Sequence, residues 1–380
     1  MSRSRLIFWV LLAEMSFCTS VCAVEKEVES NPSPKVLIAT GWDSPDAEVF
    51  ASSVSDFERG PFDGTVIRPS RELGDGKRLG AFFAFSKEHW EFSDFANMLG
   101  ELAKAQPRSC TENFLLLCAN PGDVDWFDDA GWGEIVGHWR LLARVARIGK
   151  LKGIAYDPEA YTPPWEPFNY AKQSRYGFHS FEESTAKARE RGRAVMRAVA
   201  SEYPNITILA YFLVSNLPRP ASNSSFSSSL KDHSYGLAPG FIDGLLDEIP
   251  RSASLVDGNE YSYLYNSQSA YSEATRILHN VTSTFVSFSN RRKIATNWQV
   301  GHALYLDAYC NPSSSKWYID PLGVTPTERL AKNAAFALQA SDHFVWVYGE
   351  TGRWWPSKMP YPTWPEKLPG VVEALQHAKE

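Results

Sequence analysis

The chain has 380 residues, 44% of them hydrophobic and 22% charged, a composition that supports a large buried core and excludes a disordered or fibrous protein. Its net charge of −6 provides no basic footprint for nucleic acid or for an anionic membrane surface. Thirteen Trp and sixteen Tyr exceed what a core needs, because both rings carry a polar tip that wants a partner when buried.

The N-terminus has the three parts of an export signal. Arg3 and Arg5 supply the positive region, Leu6 to Ala13 the apolar run, and Val21-Cys22-Ala23 a small-residue cleavage site. Residues 1–23 are therefore expected to be removed, leaving a secreted or periplasmic chain that starts near Val24. The apolar run is too short to span a bilayer, and Glu14 interrupts it. Attachment of lipid at Cys22 is disfavoured by Thr19, which stands where a large aliphatic residue is expected. Residues 24–34 form a polar linker. In the remaining chain Cys110, Cys118 and Cys310 allow one disulfide or none, and they lack metal-ligand spacing.

From residue 35 a strand–helix alternation begins and continues to the end. Apolar runs predict strands at 35–41, 62–68, 113–119, 151–159, 206–215, 254–261, 292–298 and 343–350, with starts about 44 residues apart on average. Ser44-Pro45-Asp46 reads as a helix start with Ser as cap and Pro at the first helical position. Ile135, Trp139, Leu142 and Val145 recur at helical steps, as do Leu330, Ala334 and Leu338. Ser180…Glu183 and Thr325-Pro326-Thr327-Glu328 are capping boxes, and 368–378 supplies a last helix. Eight apolar strands separated by amphipathic helices predict one (β/α)8 TIM barrel over 35–380, with an open doubly wound sheet as the alternative. Long insertions at 69–92 and 216–240 follow strands two and five, where loops build the functional face of a barrel.

Acidic residues gather at the predicted strand ends: Asp43 after strand one, Asp157 and Glu159 on strand four, Glu260 on strand six and Glu350 on strand eight. Strand alternation puts Asp157 and Glu159 on one face with Gly153 and Ala155. Such carboxylates suit glycoside hydrolysis, in which one acid protonates the leaving oxygen and a second carboxylate attacks, activates water or stabilises positive charge. Asp157, as a like-charged neighbour, would keep Glu159 protonated nearer neutrality. Trp42, Asp43, Arg68, Asn120, Tyr211, Tyr261, Asn297, Trp298 and Trp354 are candidate substrate contacts, since each ends a predicted strand or opens the next loop.

Gly153-Ile-Ala-Tyr-Asp157-Pro-Glu159 resembles the fourth-strand G-x-x-x-D-x-E signature of chitinase-type barrels, whose Glu is the acid and whose Asp is its helper. The resemblance departs at Ala155, where those enzymes carry another Asp, and at Pro158, where they carry Trp. More broadly, Glu159 resembles the acid/base at the end of strand four in retaining barrel glycosidases. Their nucleophile on strand seven has no counterpart at Asn297-Trp298, which leaves Glu260 or Glu350 as second carboxylate. The resemblance implies an oligo- or polysaccharide substrate.

No H-x-H or H-E-x-x-H pairing is present, so no metal is expected, and neither a nucleophile elbow nor a nucleotide-binding loop occurs, so no cofactor is expected. Asp123, Asp125, Asp128 and Asp129 could hold Ca²⁺ but lack the EF-hand spacing, and a solvated loop or helix start is the plainer expectation. Two functions fit: a secreted glycosidase with Glu159 as proton donor, or a catalytically silent barrel that binds a glycan.

Overall fold

A computed structural model describes residues 34–218 and 226–380, so the expected export signal and linker, and part of the second long loop, lie outside the described residues. The strands are Val36–Gly41 (β1), Gly64–Ile67 (β2), Phe114–Cys118 (β3), Gly153–Asp157 (β4), Thr207–Ala210 (β5), Ser254–Asp257 (β6) and Phe344–Gly349 (β8). Between the last two lies β7, in two segments, Trp298–Val300 and His302–Tyr305, on either side of Gly301. Every pairing among these strands is parallel and each strand neighbours the next. β1 pairs with both β2 and β8, while β7 meets β6 through its first segment and β8 through its second. The ring is closed, and the fold is a (β/α)8 barrel.

Contacts between strands that are not neighbours show which faces point inward. Phe114 of β3 meets Phe344 of β8 edge-on at 5.6 Å, and Tyr211, just past β5, stacks on Trp346 of β8 at 4.5 Å. The Tyr211 hydroxyl also bonds Thr40 of β1 at 2.9 Å. Residues two apart from these line the same interior. Outward residues pack under helices: Tyr156 of β4 lies 5.0 Å from Trp139.

The helical layer consists of Ala47–Phe57 (α1), Ala96–Lys104 (α2), Asp129–Ile148 (α3), Phe181–Glu202 (α4), Ala238–Glu248 (α5), Gln268–Phe285 (α6), Pro326–Ala340 (α7) and Val371–His377 (α8). Both expected capping boxes form, Ser180 with Glu183 and Thr325 with Glu328. α1 begins later than its sequence signal: Asp46 is the cap, accepting from the Val49 amide at 2.9 Å, while Ser44 accepts from the Gly41 amide.

Strand seven is the main correction. Residues 291–297 form a short helix, and β7 lies just beyond them. Its second segment contains His302, a polar residue that breaks the apolar run. Yet His302 is fully buried, because Asn259 bonds its Nδ1 at 3.0 Å and the Thr275 hydroxyl its Nε2 at 2.8 Å. Burial then pushes His302 down to about 3, which keeps the ring neutral. Strands four and six also stop early. β4 ends at Asp157 before Pro158, and β6 ends before Asn259, whose φ of 44° turns the chain into the helical turn Glu260–Leu264. Glu159 and Glu260 therefore sit on the first residues of loops rather than on strands.

Candidate active site

The site begins on β4. A Cβ at Gly153 would lie 1.8 Å from the Thr207 carbonyl oxygen, so only glycine allows β5 to approach there. Two steps along the same face is Ala155, and two more is Asp157, buried at the top of the barrel. One Asp157 oxygen accepts the Glu159 amide at 3.0 Å; the other lies 2.9 Å from the Tyr161 hydroxyl and 3.9 Å from the Cys118 thiol. The Tyr161 hydroxyl also bonds Glu159 Oε2. Burial first, and the Glu159 charge second, push Asp157 up to about 7.

Glu260 faces this group from β6. Burial, then the charges of Glu159 and Asp157, push it up to about 8, and a hydrogen bond with Tyr263 opposes the rise. Among the described residues none of Asp157, Glu159 or Glu260 forms an ion pair with a cation. Asp157 and Glu260 therefore hold their protons to higher pH than free carboxyls do.

Glu350, just past β8, stands apart. Its two oxygens take the Tyr305 hydroxyl at 3.1 Å and the Tyr348 hydroxyl at 3.3 Å, and its amide donates to Asp307 at 2.8 Å. Between Glu350 and Glu260 runs an aromatic band: Tyr305 and Tyr263 both stack on Tyr348, at 5.8 and 5.9 Å, and Trp317 meets Tyr305 edge-on. Asp307, near the true end of β7, is occupied by Lys367 at 2.7 Å and by Thr351.

The remaining sequence-predicted contacts divide. Trp42, half exposed, follows β1 and shares a hydrogen bond with Tyr348. Tyr211 lies at the barrel top, buried, where the charges of Asp157 and Glu260 both act on its hydroxyl. Asn120 is buried and braces the β4 loop, its Oδ1 accepting the Tyr161 amide at 3.0 Å, while its Nδ2 has no partner. Tyr261 lines a cavity of about 310 Å³ with His233, Asn259 and α6 residues. Arg68 is exposed, its charge acting on Asp43.

Four expected contacts are not in the cleft. Asp43 is buried, with one oxygen taking the amides of Trp354 and Trp355, so it ties down the β8 loop. Trp354 packs against Phe62 at 4.9 Å and beside Trp364, in the layer outside the barrel. Asn297 and Trp298 stand at the N-terminal end of β7, opposite the acids, where Asn297 donates to the carbonyls of Pro250 and Ala253, both at 2.8 Å. The strand-seven shift is the reason. Three of the four acids after β3 are likewise consumed: Asp125 accepts from Ser174 and Arg175, Asp128 caps α3 and pairs with Lys87, and Asp129 pairs with Arg191. No group of side chains suited to a metal occurs among the described residues.

The rim carries aromatics that sequence reasoning did not single out: Phe82 and Phe83 on the β2 loop, Tyr161 and Trp165 on the β4 loop, and Trp317 on the β7 loop, all more than a third exposed. Phe82 stacks on Tyr161 at 6.0 Å, which brings the first long insertion to the acids. On the second, the Tyr235 hydroxyl lies within reach of the Glu159, Asp157 and Glu260 charges. Both insertions therefore border the cleft.

The molecule is thus a (β/α)8-barrel protein with a carboxyl cluster and exposed aromatics at the C-terminal ends of its strands. No family model matches the chain, and no curated protein matches it. Similar solved structures are glycoside hydrolases. They include a GH5_18 protein from Streptomyces cattleya in complex with GlcNAc (10% identity, 91% of this chain and 79% of that one, TM-score 0.46). Others are a thermostable mutant of a xylanase from Cellvibrio japonicus (11%, 90% and 98%, 0.44) and a broad-specificity endoglucanase from an uncultured bacterium (11%, 89% and 85%, 0.42). At that distance the likeness says nothing of chemistry, and the barrel assignment stands on its own strand order and closure.

Proposed function

We propose that the protein is an exported glycoside hydrolase acting on an oligo- or polysaccharide, with Glu159 as proton donor and Glu260 as the second carboxylate. The observation that carries this reading is the proximity of Glu159 and Glu260 at the barrel mouth, near enough for the Glu159 charge to act on Glu260, without a neutralising cation among the described residues. Glu159 gives its proton to the glycosidic oxygen as that oxygen leaves. Glu260, which must give up its retained proton to act, meets as a carboxylate the positive charge growing at the anomeric carbon. Glu350 is the weaker candidate for that second role, since both its oxygens are held by tyrosine hydroxyls. Its place in the aromatic band suits contact with substrate hydroxyls. Exposed rings at the rim offer faces for sugar C–H surfaces.

Hydrolysis of aryl glycosides and polysaccharides tests the proposal. Glu159→Gln should lose turnover of unactivated substrates and retain it on a dinitrophenyl glycoside, whose leaving group needs no proton. Glu260→Ala should be rescued by azide; rescue of Glu350→Ala instead would exchange the roles of those two residues. A wild-type protein that binds glycans and cleaves none of them would establish the silent binding barrel.

A further inference from the structure

We propose that Tyr161 is a relay hydroxyl, through which the buried Asp157 stores the proton that Glu159 delivers. The inference rests on the proposed glycosidase reading for its kinetic meaning, but its structural content is independent. The Tyr161 hydroxyl contacts two carboxyl oxygens, Asp157 Oδ2 at 2.9 Å and Glu159 Oε2. A phenol has one proton and can donate once. Two full hydrogen bonds need two protons, so both contacts are satisfied only if one carboxyl donates to the phenolic oxygen.

Burial decides which. Asp157 is 5% exposed and its other oxygen is engaged by the Glu159 amide, whereas Glu159 is partly open to the cleft. The less solvated carboxyl keeps the proton. The chain therefore runs from Asp157 Oδ2–H to Tyr161 Oη and from Tyr161 Oη–H to Glu159 Oε2. The ionisable groups facing Asp157 are Cys118 on β3, Tyr211 past β5, Tyr156 beside it, Tyr161 on the β4 loop, Tyr235 on the second long loop, Tyr348 on β8, and Glu159 and Glu260 at the mouth, none of them a cation.

In the reaction, the Tyr161 proton passes to Glu159 and the Asp157 proton passes to Tyr161, as a proton reaches the glycosidic oxygen and the C–O bond breaks. Asp157 ends as carboxylate, Tyr161 and Glu159 keep their starting protonation, and the leaving group departs as an alcohol. The ring of Tyr161 stacks on Phe82, which helps hold its hydroxyl between the acids. Tyr161 is a positioning and relay residue.

Tyr161→Phe keeps the ring and removes the relay. If Tyr161 stabilises a shared proton, its loss lets that proton leave earlier. The alkaline limb of kcat should then move about one unit to lower pH, with roughly tenfold less activity above it. If Tyr161 only donates to ionised carboxylates, its loss raises their pKa, and the limb moves to higher pH; that shift, or none, would overturn the proposal. Carbon-13 NMR of protein labelled at the Asp side-chain carboxyl reads the same proton without activity. One signal, identified by its loss in Asp157→Asn, should remain protonated at pH 6 in the wild type and ionise at lower pH in Tyr161→Phe. An Asp157 signal already ionised at pH 6 in the wild type would also overturn it. A protein inactive on every glycoside but showing the NMR pattern would retain the shared proton and discard the glycosidase reading.

Discussion

The two ends of the barrel treat charge in opposite ways. At the N-terminal end acids beside the strands have basic partners: Asp63 pairs with Lys379 at 2.7 Å, Glu112 with Lys152 at 2.9 Å, and Asp342 with His279 at 2.9 Å. Asp63 also takes the Leu37 amide, and Asp342 the Val300 amide, so these side chains stitch loops to strand starts. At the C-terminal end Asp157, Glu159, Glu260 and Glu350 have tyrosine hydroxyls as their neighbours, and burial together with nearby negative charge raises Asp157 and Glu260. One end is arranged for stability. The other holds unneutralised charge that costs stability, which is what a site that moves protons requires.

The contrast breaks first if the mouth acids do not act. Glu159→Gln should reduce turnover of unactivated glycosides by about 10²–10⁴-fold, the usual contribution of a general acid, without lowering the thermal midpoint. Wild-type activity should be bell-shaped in pH, because the proton held by Asp157, pushed up to about 7, and the ionised form of Glu260, pushed up to about 8, are both required.

Stability should change in opposite directions at the two ends. Folding raises Glu260 from 4.5 to about 8, so the native state holds a proton that the unfolded chain has released. Wild-type stability therefore falls as pH rises from near 4.5 and levels out above about 8. Glu260→Gln removes that loss. It should match the wild type near pH ~4 and exceed it at pH ~9, in denaturant titrations, by roughly 2–4 kcal/mol. At the other end, Asp342→Ala should cost about 1–3 kcal/mol at neutral pH by leaving the Val300 amide without its acceptor, and kcat should not move.

The smallest effect belongs to the rim. Trp317→Ala removes a ring that borders Tyr305 and Tyr263. It should raise KM roughly 3–10-fold for a polysaccharide, from about 0.5–1.5 kcal/mol of lost ring contact, and leave kcat nearly constant. A comparable change from Phe288→Ala, an 84% exposed ring at the opposite end, would show that the rim is not special.

Which parts of this were legible in the sequence follows from the range of the interactions. The barrel was legible because seven of its strands are unbroken apolar runs, and their period carried the count. β7 was misplaced because its burial of His302 depends on Asn259 and Thr275, partners 43 and 27 residues away. Asn297 and Trp298 inherited that error. Asp157 and Glu159 were legible as a local D-x-E pattern, although the strand ends at Asp157 and Glu159 lies just past it. Tyr161 continues the same two-residue step, D-x-E-x-Y, and Tyr348 precedes Glu350 by two; extending the alternation would have flagged both. Tyr263, Tyr305 and Trp317 converge only through closure of the ring, and nothing in their spacing announces it. Asp43 ended a strand as expected, but its carboxylate was claimed by backbone amides 311 and 312 residues away.

The central claim is that Glu159 protonates the glycosidic oxygen of a sugar held at this mouth. A crystal structure of the Glu159→Gln protein with a bound oligosaccharide tests it most directly. The account predicts the substituted side-chain amide at position 159 within hydrogen-bond distance of an inter-sugar oxygen, with Glu260 beneath the adjoining anomeric carbon. An oligosaccharide bound with its glycosidic oxygens out of reach of that position would contradict it.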